Sequence, residues 1–162
     1  MSGSTTKKVL IRRFEREPLA GHAAPGTCLR PAGVEIATPD GGAVVVPYQD
    51  VKSVDFVRDF LSTGEMERKF FQTRPKMAGL WVRVGFRDGD VMEGVIPNNL
   101  MQIEPEGFTL IPPDPFGNLQ RLFLPRTALT SVAVLGVIGS PLHRRKPAAR
   151  PVPKEQYRLF DE

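Results

Sequence analysis

Cysteine is almost absent from this chain, which has a single one, Cys28, among 162 residues. An intrachain disulfide and a cysteine-based zinc site are therefore excluded, and we expect Cys28 to be a small buried hydrophobe. The two histidines, His22 and His143, have no metal-ligating partners at a suitable spacing. We expect neither to be catalytic, because a base needs a nucleophile and an orienting group beside it. The sequence thus predicts no metal and no cofactor.

Long apolar runs are also missing. The opening stretch MSGSTTKKVLIRRF has only three consecutive apolar residues before Arg12, too few for the core of a signal peptide. No segment approaches the roughly 18 apolar residues of a membrane-spanning helix. These features predict a soluble, cytoplasmic protein that does not contact a membrane.

An excess of one charge is missing from most of the chain. The net charge is +4, but basic and acidic residues nearly balance over residues 1–139, and the excess is concentrated in residues 140–162. The charge therefore does not imply a nucleic-acid surface on the body of the protein.

Glycine and proline are abundant, with 15 and 16 residues, which favours short strands and turns over long helices. The segment VRVGFRDGDVMEG (82–94) alternates apolar and polar residues on both sides of an Asp-Gly turn. With 41% hydrophobic residues the chain can build a core. We therefore predict an all-β fold.

Three segments of the first half recur in the second half in the same order, which predicts an internal duplication. The match places Phe14 on Phe86 and Gly21 on Gly94. The last pair aligns without a gap and places Val54 on Val132. The matching segments are VLIRRFEREPLAGH with WVRVGFRDGDVMEGV, GVEIATPD with GFTLIPPD, and VPYQDVKSVDFV with LPRTALTSVAVL.

Each copy is predicted to contain five short strands. In the second copy these are Trp81–Arg87, Val91–Ile96, Phe108–Pro112, Leu119–Leu124 and Leu129–Leu135. We expect a bend or bulge at Gly94, because glycine in a strand often marks one. The predicted core of this half is Val82, Val84, Phe86, Leu110, Leu122, Leu124, Val132 and Val134.

The segments VRVGFRDGDVMEGVI and LFLPRTALTSVAVL resemble the opening and closing motifs of Sm-like small β-barrels. The resemblance implies two tandem five-stranded small barrels. Sm-like proteins that bind RNA carry an Asp and a Met-Asn pair in the loop before the third strand. The corresponding loop here, PNNLMQIEPEG, has neither in place, so the resemblance extends to the fold and not to this RNA site.

The chain as a whole also resembles a group of uncharacterised bacterial proteins with the layout FVRDF…FRDGDVMEG…GFTLIPPD. This resemblance implies no activity. The predicted organisation is a first barrel over 1–60, a connector over 61–79, a second barrel over 80–139 and a tail over 140–162.

Two alternatives describe the connector. In the first, Val54–Phe60 continues as a strand, STGE turns, and RKFFQT returns as a second strand that covers a barrel edge. In the second, STGE is a capping box that starts a short helix through Phe71. Trp81, which follows, is expected to pack between the barrels rather than to bind a ligand.

From Ser140 onwards, proline and basic residues replace the alternating pattern, which predicts a disordered, extended tail. Arg144, Arg145 and Lys146 are candidate phosphate contacts, so nucleic acid is a possible partner of this tail, although a solvated basic linker explains them as well.

The sequence QYRLF (156–160) fits the pattern Gln-x-x-Leu-Phe. It resembles the short peptide with which bacterial replication and repair proteins dock on the DNA sliding clamp. The resemblance implies that Leu159 and Phe160 fill a hydrophobic pocket while the Gln156 amide fixes the register. A fold-back of the two apolar residues onto a barrel is the alternative.

No arrangement of residues predicts catalysis. Asp88 and Asp90 are explained by turn formation. Arg12 and Arg16 have the Arg-x-x-x-Arg spacing of PilZ domains, which bind cyclic di-GMP, but residues four apart in one strand also share a face. We therefore predict a non-enzymatic binding or adaptor protein with a protein-docking tail. The alternative is a nucleotide or nucleic-acid sensor, either PilZ-like or Sm-like.

Overall fold

The computed structural model describes residues 5–60 and 68–139. These ranges contain strands, turns and three single-turn 3-10 helices and no α-helix, which confirms the predicted all-β class. The strands of the first half are β1 (Lys7–Arg13), β2 (Arg16–Ala23), β3 (Leu29–Arg30), β4 (Gly33–Ala37), β5 (Ala43–Val46) and β6 (Val51–Val57). Those of the second half are β7 (Gly79–Phe86), β8 (Val91–Ile96), β9 (Gly107–Leu110), β10 (Leu119–Pro125) and β11 (Leu129–Ile138). The 3-10 turns are Tyr48–Asp50, Leu100–Gln102 and Arg126–Ala128.

The strands form a curled eight-stranded sheet and a three-stranded sheet. The larger one has the order β3-β4-β2-β1-β6-β10-β9, and β5 also pairs with β4. The smaller one has the order β11-β7-β8, and a bridge between Val95 and Ile111 joins β8 to the residue after β9. The strand order is therefore β6-β1-β2-β4-β5 in the first half and β11-β7-β8-β9-β10 in the second. The two orders are the same, while the duplication itself stays a prediction.

Strand β10 crosses from the second half into the sheet of the first half. It pairs antiparallel with β6, with Phe123 opposite Val54 and Leu122 opposite Asp55. Phe123 is 2% exposed and belongs to the hydrophobic core of the first half. In the opposite direction, Phe14 of the first half packs against the core of the second. The two cores are thus built from both halves.

Local patterns predicted several elements correctly. β8 has the predicted bounds, Val91–Ile96. β9 and β10, which lie at the predicted third and fourth strands of the second copy, pair as a hairpin with Leu122 opposite Leu110 and Pro125 opposite Gly107 at its end. The ladder stops there because proline has no N–H to donate. Cys28 is 4% exposed, which confirms the expected small buried hydrophobe.

The predicted core of the second half is correct for six residues and wrong for two. Val82, Val84, Phe86, Leu110, Leu122 and Leu124 are all buried. Val132 and Val134, on β11, are 44% and 58% exposed. Both lie opposite core residues of β7, but β11 is an edge strand in the described structure, so no neighbouring strand covers them.

The expected bulge at Gly94 is wrong. β7 and β8 pair without a register shift from Leu80 opposite Ile96 to Gly85 opposite Val91. Gly94 also lies outside the left-handed backbone region. The Leu110 side chain fills the space beside its Cα, so this contact requires glycine here.

The connector matches neither alternative in its described part. β6 ends at Val57 instead of Phe60, and residues 68–78 contain neither strand nor helix. Residues 61–67, which include the whole of the predicted turn or cap STGE (62–65), lie outside the described ranges. The Phe71 N–H donates to the Glu93 side chain instead of to a strand neighbour, at 3.2 Å.

Trp81 packs against this connector and not between the halves. Its ring contacts Phe71 edge-on, with the ring centroids 6.1 Å apart. Its indole N–H donates to Glu93 Oε1 at 3.3 Å. The Glu93 N–H in turn donates to the Lys69 carbonyl at 2.7 Å, which holds the connector along β8.

Candidate functional site: a charged cleft between the halves

A cleft of about 240 Å³ lies where β1 and β6 meet the β7–β8 hairpin and the connector. Charged side chains from both halves dominate its wall. The residues that line it include Arg12, Lys52, Ser53, Lys69, Phe86 and Asp90.

Lys52 is the central cation of this cleft. Its ammonium group lies 2.7 Å from Asp88 Oδ2 and 3.0 Å from Asp90 Oδ2, on the turn of the β7–β8 hairpin. It also lies 5.0 Å from the centre of the Phe86 ring. Lys69, from the connector, pairs with the other oxygen of Asp90 at 2.9 Å. One carboxylate thus joins the first half, the second half and the connector.

A second ion pair lies deeper, between β1 and β6. Arg12 Nε donates to Asp55 Oδ2 at 2.6 Å, and the Ser53 hydroxyl donates to Asp55 Oδ1 at 2.7 Å. The Asp55 side chain is 2% exposed, so both oxygens need these donors. Burial raises the pKa of Asp55, while the charge of Arg12 opposes that effect.

Asp90 and Lys52, in the more exposed part of the network, are held in their charged forms. Partial burial disfavours the ionised Asp90, but hydrogen bonds from Lys69 and Lys52 outweigh it and lower the pKa of Asp90 to about 2. Desolvation likewise opposes the charge on Lys52, yet the hydrogen bonds to Asp88 and Asp90 raise the pKa of Lys52. At neutral pH these groups therefore stay ionised and mutually paired. Such a network suits the fixing of two halves better than the exchange of protons.

Turn formation by Asp88 and Asp90 was predicted, and the structure contains that turn. Gly89 has a φ of 91°, and its N–H donates to the Phe86 carbonyl at 2.9 Å. No sequence pattern indicated that the same carboxylates bind Lys52. One signal for the deeper pair was available, since Asp55 interrupts the otherwise apolar end of VKSVDFV.

Arg12 and Arg16 do not share a strand, so the expectation that they lie on one face of it is wrong. β1 ends at Arg13 and β2 begins at Arg16, with a tight turn at Phe14 and Glu15 between them. Glu15 has a φ of 58° in this turn. Arg12 is instead paired with Asp55 of β6.

Several predicted site residues lie outside the described ranges. They are the proposed phosphate contacts Arg144, Arg145 and Lys146, and the proposed docking residues Gln156, Leu159 and Phe160. His143, which was expected to be neither catalytic nor metal-ligating, also lies outside these ranges. His22 is described, and its ring packs edge-on against Phe60 with the centroids 5.6 Å apart. In residues 5–60 and 68–139, no group of three or more His, Cys, Asp or Glu side chains is placed to hold a metal ion. The same ranges contain no helix with the length and apolar character needed to cross a bilayer.

The fold and the cleft define an all-β protein whose halves share one strand order and are joined by a β-ladder and an ion-pair network. A family model described as "Family of unknown function (DUF6982)" matches residues 5–136, and the chain belongs to this family. Comparison with curated proteins and with solved structures gives no match.

Proposed function

We propose that the protein is a non-enzymatic adaptor that binds a protein partner through the segment containing Gln156, Leu159 and Phe160. The proposed partner is the DNA sliding clamp. The observation that carries the proposal is the Gln-x-x-Leu-Phe spacing of QYRLF. Two adjacent apolar side chains supply buried contact area in a pocket, and a glutamine amide three residues earlier supplies directional hydrogen bonds.

The surroundings of this segment support docking. β11 ends at Ile138, and Gly139 is exposed with no heavy atom within 4 Å of a Cβ built on it. The chain therefore leaves the folded body at its surface. Four prolines, which favour an extended backbone, follow before the motif.

The charge pairing in the cleft favours a structural role over catalysis. Its principal ionisable groups, Lys52, Asp88 and Asp90, are paired with opposite charges. A general acid or base works best with a pKa near the working pH, whereas the pKa of Asp90 is lowered to about 2. The network's contribution is to hold the two halves in one arrangement.

The alternative, a nucleotide or nucleic-acid sensor, has less support. A PilZ-like site would need Arg12 to reach a ligand together with Arg16, and Arg12 is instead bound to the buried Asp55. Phosphate binding by Arg144, Arg145 and Lys146 is supported by their charge alone.

The test is a calorimetric titration of the full-length chain into purified sliding clamp. We expect a dissociation constant on the order of micromolar, because the sequence predicts a disordered tail and ordering a disordered peptide on binding lowers affinity. Leu159→Ala with Phe160→Ala should abolish binding, whereas Arg144→Ala with Arg145→Ala should mainly change its salt dependence. No heat of binding at high micromolar concentration would refute the clamp as partner. Parallel titrations with cyclic di-GMP and single-stranded RNA test the alternative.

A further inference from the structure

The shared strand order gives the protein two equivalent pairs of strand edges, and it uses only one pair. β6 and β11 hold the same place in the two halves, and so do β10 and β5. β6 pairs with β10 within the chain. In the described residues β11 pairs with β7 alone and β5 with β4 alone, so the pairing of β11 with β5 is not made.

The register fixes which residues are equivalent on β5 and β10. On β5, Val44 lies opposite Ile36 of β4, and on β10 Leu122 lies opposite Leu110 of β9. Since Ile36 and Leu110 occupy the same place in GVEIATPD and GFTLIPPD, Val44 corresponds to Leu122. Val45 accordingly corresponds to Phe123.

Side-chain exposure differs sharply between the used and the unused edges. On β6, Val54 is 0% and Phe56 is 7% exposed, while their β11 equivalents Val132 and Val134 are 44% and 58% exposed. β11 and β7 place these two valines opposite Val84 and Val82, on the side of the sheet that faces the core.

The same contrast holds for the partner strands. On β10, Leu122 and Phe123 are 0% and 2% exposed. Their β5 equivalents, Val44 and Val45, are 39% and 44% exposed. β6 and β10 pair with each other, and the side chains compared on them are buried. β11 and β5 have no such pairing within the described residues, and the equivalent side chains are exposed.

Neither unused edge carries the features that prevent edge-to-edge association. Edge strands of soluble proteins are usually protected by charged side chains or prolines. β11 has the sequence LTSVAVLGVI and β5 the sequence AVVV, and neither contains a charge or a proline. The buried Asp55 of β6 corresponds to Ala133 of β11, so pairing β11 would bury no carboxylate.

We propose that β11 of one copy pairs antiparallel with β5 of a second copy of this chain, in the register that β10 and β6 use. That register places Val45 opposite Val132, Val44 opposite Ala133 and Ala43 opposite Val134. A second copy of this chain is the favoured partner, because each copy has both edges, β11 and β5. The pairing of the equivalent strands β6 and β10 within the chain shows the geometry that would join them. The contact is head-to-tail, so it builds a closed ring or an open filament.

The register is tested by disulfide trapping between two full-length variants that carry different tags, one Val45→Cys and the other Val132→Cys. Directly opposite residues of antiparallel strands have Cα atoms about 4.5–5.5 Å apart, within disulfide range. Mixing and mild oxidation should give a cross-linked pair that contains both tags. Cys28 should stay silent, because it is buried and burial raises the pKa of its thiol. Val91→Cys, at the exposed first residue of β8, replaces Val132→Cys as the matched control and should not cross-link.

The assembly is tested by light scattering on the full-length chain at about 100 μM. We expect a mass of at least two chains, and we expect Val134→Lys or Val45→Lys to reduce it to one chain with an unchanged circular dichroism spectrum. Met101→Lys, at an apolar side chain that is 91% exposed elsewhere, should keep the wild-type mass.

Three results would overturn the proposal. The first is a monomer at this concentration without cross-links, which includes the case in which residues 140–162 of the same chain cover β11. The second is cross-linking of Val132→Cys only to itself, which would indicate a two-fold contact between β11 strands. The third is wild-type mass in both lysine variants. None of these results bears on clamp binding, which depends on Leu159 and Phe160.

Discussion

The side chain of Leu110 fills the space beside the Cα of Gly94, so a Cβ built there would lie 2.6 Å from Leu110 Cδ2. Gly21 and Ile36 have the same relationship in the first half, with 2.8 Å to Ile36 Cδ1. In both places a glycine of one strand lets an aliphatic side chain of a nearby strand cross over it. In the second half, this close approach leaves the pairing of β7 with β8 uninterrupted.

Gly94→Ala should therefore destabilise the protein through overpacking. We expect the free energy of unfolding to fall by about 1–3 kcal/mol in urea denaturation. Gly26→Ala is the matched control, because no atom lies within 4 Å of its Cβ position, and its effect should stay within about 0.5 kcal/mol. In a Leu110→Ala background the cost of Gly94→Ala should shrink, since the conflicting side chain is gone. Equal costs in both backgrounds would show that the contact is not the cause.

Substitution of Phe123 should destabilise the protein strongly, because this side chain of the second half packs in the hydrophobic core of the first half. It is 2% exposed and packs among residues of the first half. We expect Phe123→Ala to lower the free energy of unfolding by about 3–5 kcal/mol. Phe116→Ala, at a ring that is 87% exposed, should change it by less than about 0.5 kcal/mol. A small loss for Phe123→Ala would mean that the two halves are stable independently.

The position of a strand was predictable where the local sequence pattern determines it. The pairing between strands from distant parts of the chain was not predictable. The bounds of β8 follow from local alternation and an Asp-Gly turn. The pairing of β6 with β10 joins segments far apart in the chain, and no local pattern selects β10 as the neighbour. Val132 was predicted to lie in the core and is 44% exposed, while Val54, which occupies the same place in the first half, is 0% exposed.

The charged cleft escaped prediction for a similar reason. Lys52 resembles an ordinary surface lysine on its strand, and Asp90 is sufficiently explained by its turn. Only the tertiary structure brings them within 3.0 Å. The buried Asp55 was the one detectable sign, because a carboxylate in an apolar strand needs a partner.

Ionised Asp90 should stabilise the protein in a defined pH range. Its folded-state pKa is lowered to about 2, below the value of about 3.9 for an unfolded chain. A lowered pKa means that the contribution is present above pH of about 4 and is lost as the pH falls towards about 2. Asp90 is 34% exposed, so solvent screening keeps the contribution below about 1 kcal/mol.

Asp90→Asn is the variant that tests this effect, because asparagine keeps the oxygen that accepts from the Val91 N–H. Urea denaturation should show a stability difference from wild type at pH 6 that narrows at pH 2.5. Glu104→Gln, at an exposed position, is the control, and its free energy of unfolding should change with pH in the same way as that of wild type. A difference that persists unchanged at pH 2.5 would indicate that charge pairing with Lys52 and Lys69 is not responsible.

Glu93 should hold the connector against β7 and β8, and Trp81 should report its loss. The Glu93 side chain accepts hydrogen bonds from Arg83 at 2.9 Å, from the Trp81 indole at 3.3 Å and from the Phe71 backbone at 3.2 Å. Glu93 is 4% exposed, so replacing one of its acceptor oxygens by an NH₂ group leaves a buried donor without a partner. We expect Glu93→Gln to lower the free energy of unfolding by about 1–3 kcal/mol. Because Trp81 is the single tryptophan of the chain, its emission should shift to the red as Phe71 moves away. Glu106→Gln is the control, and it should alter neither quantity. Unchanged emission together with wild-type stability in Glu93→Gln would mean that the Glu93 carboxylate does not hold the connector in place.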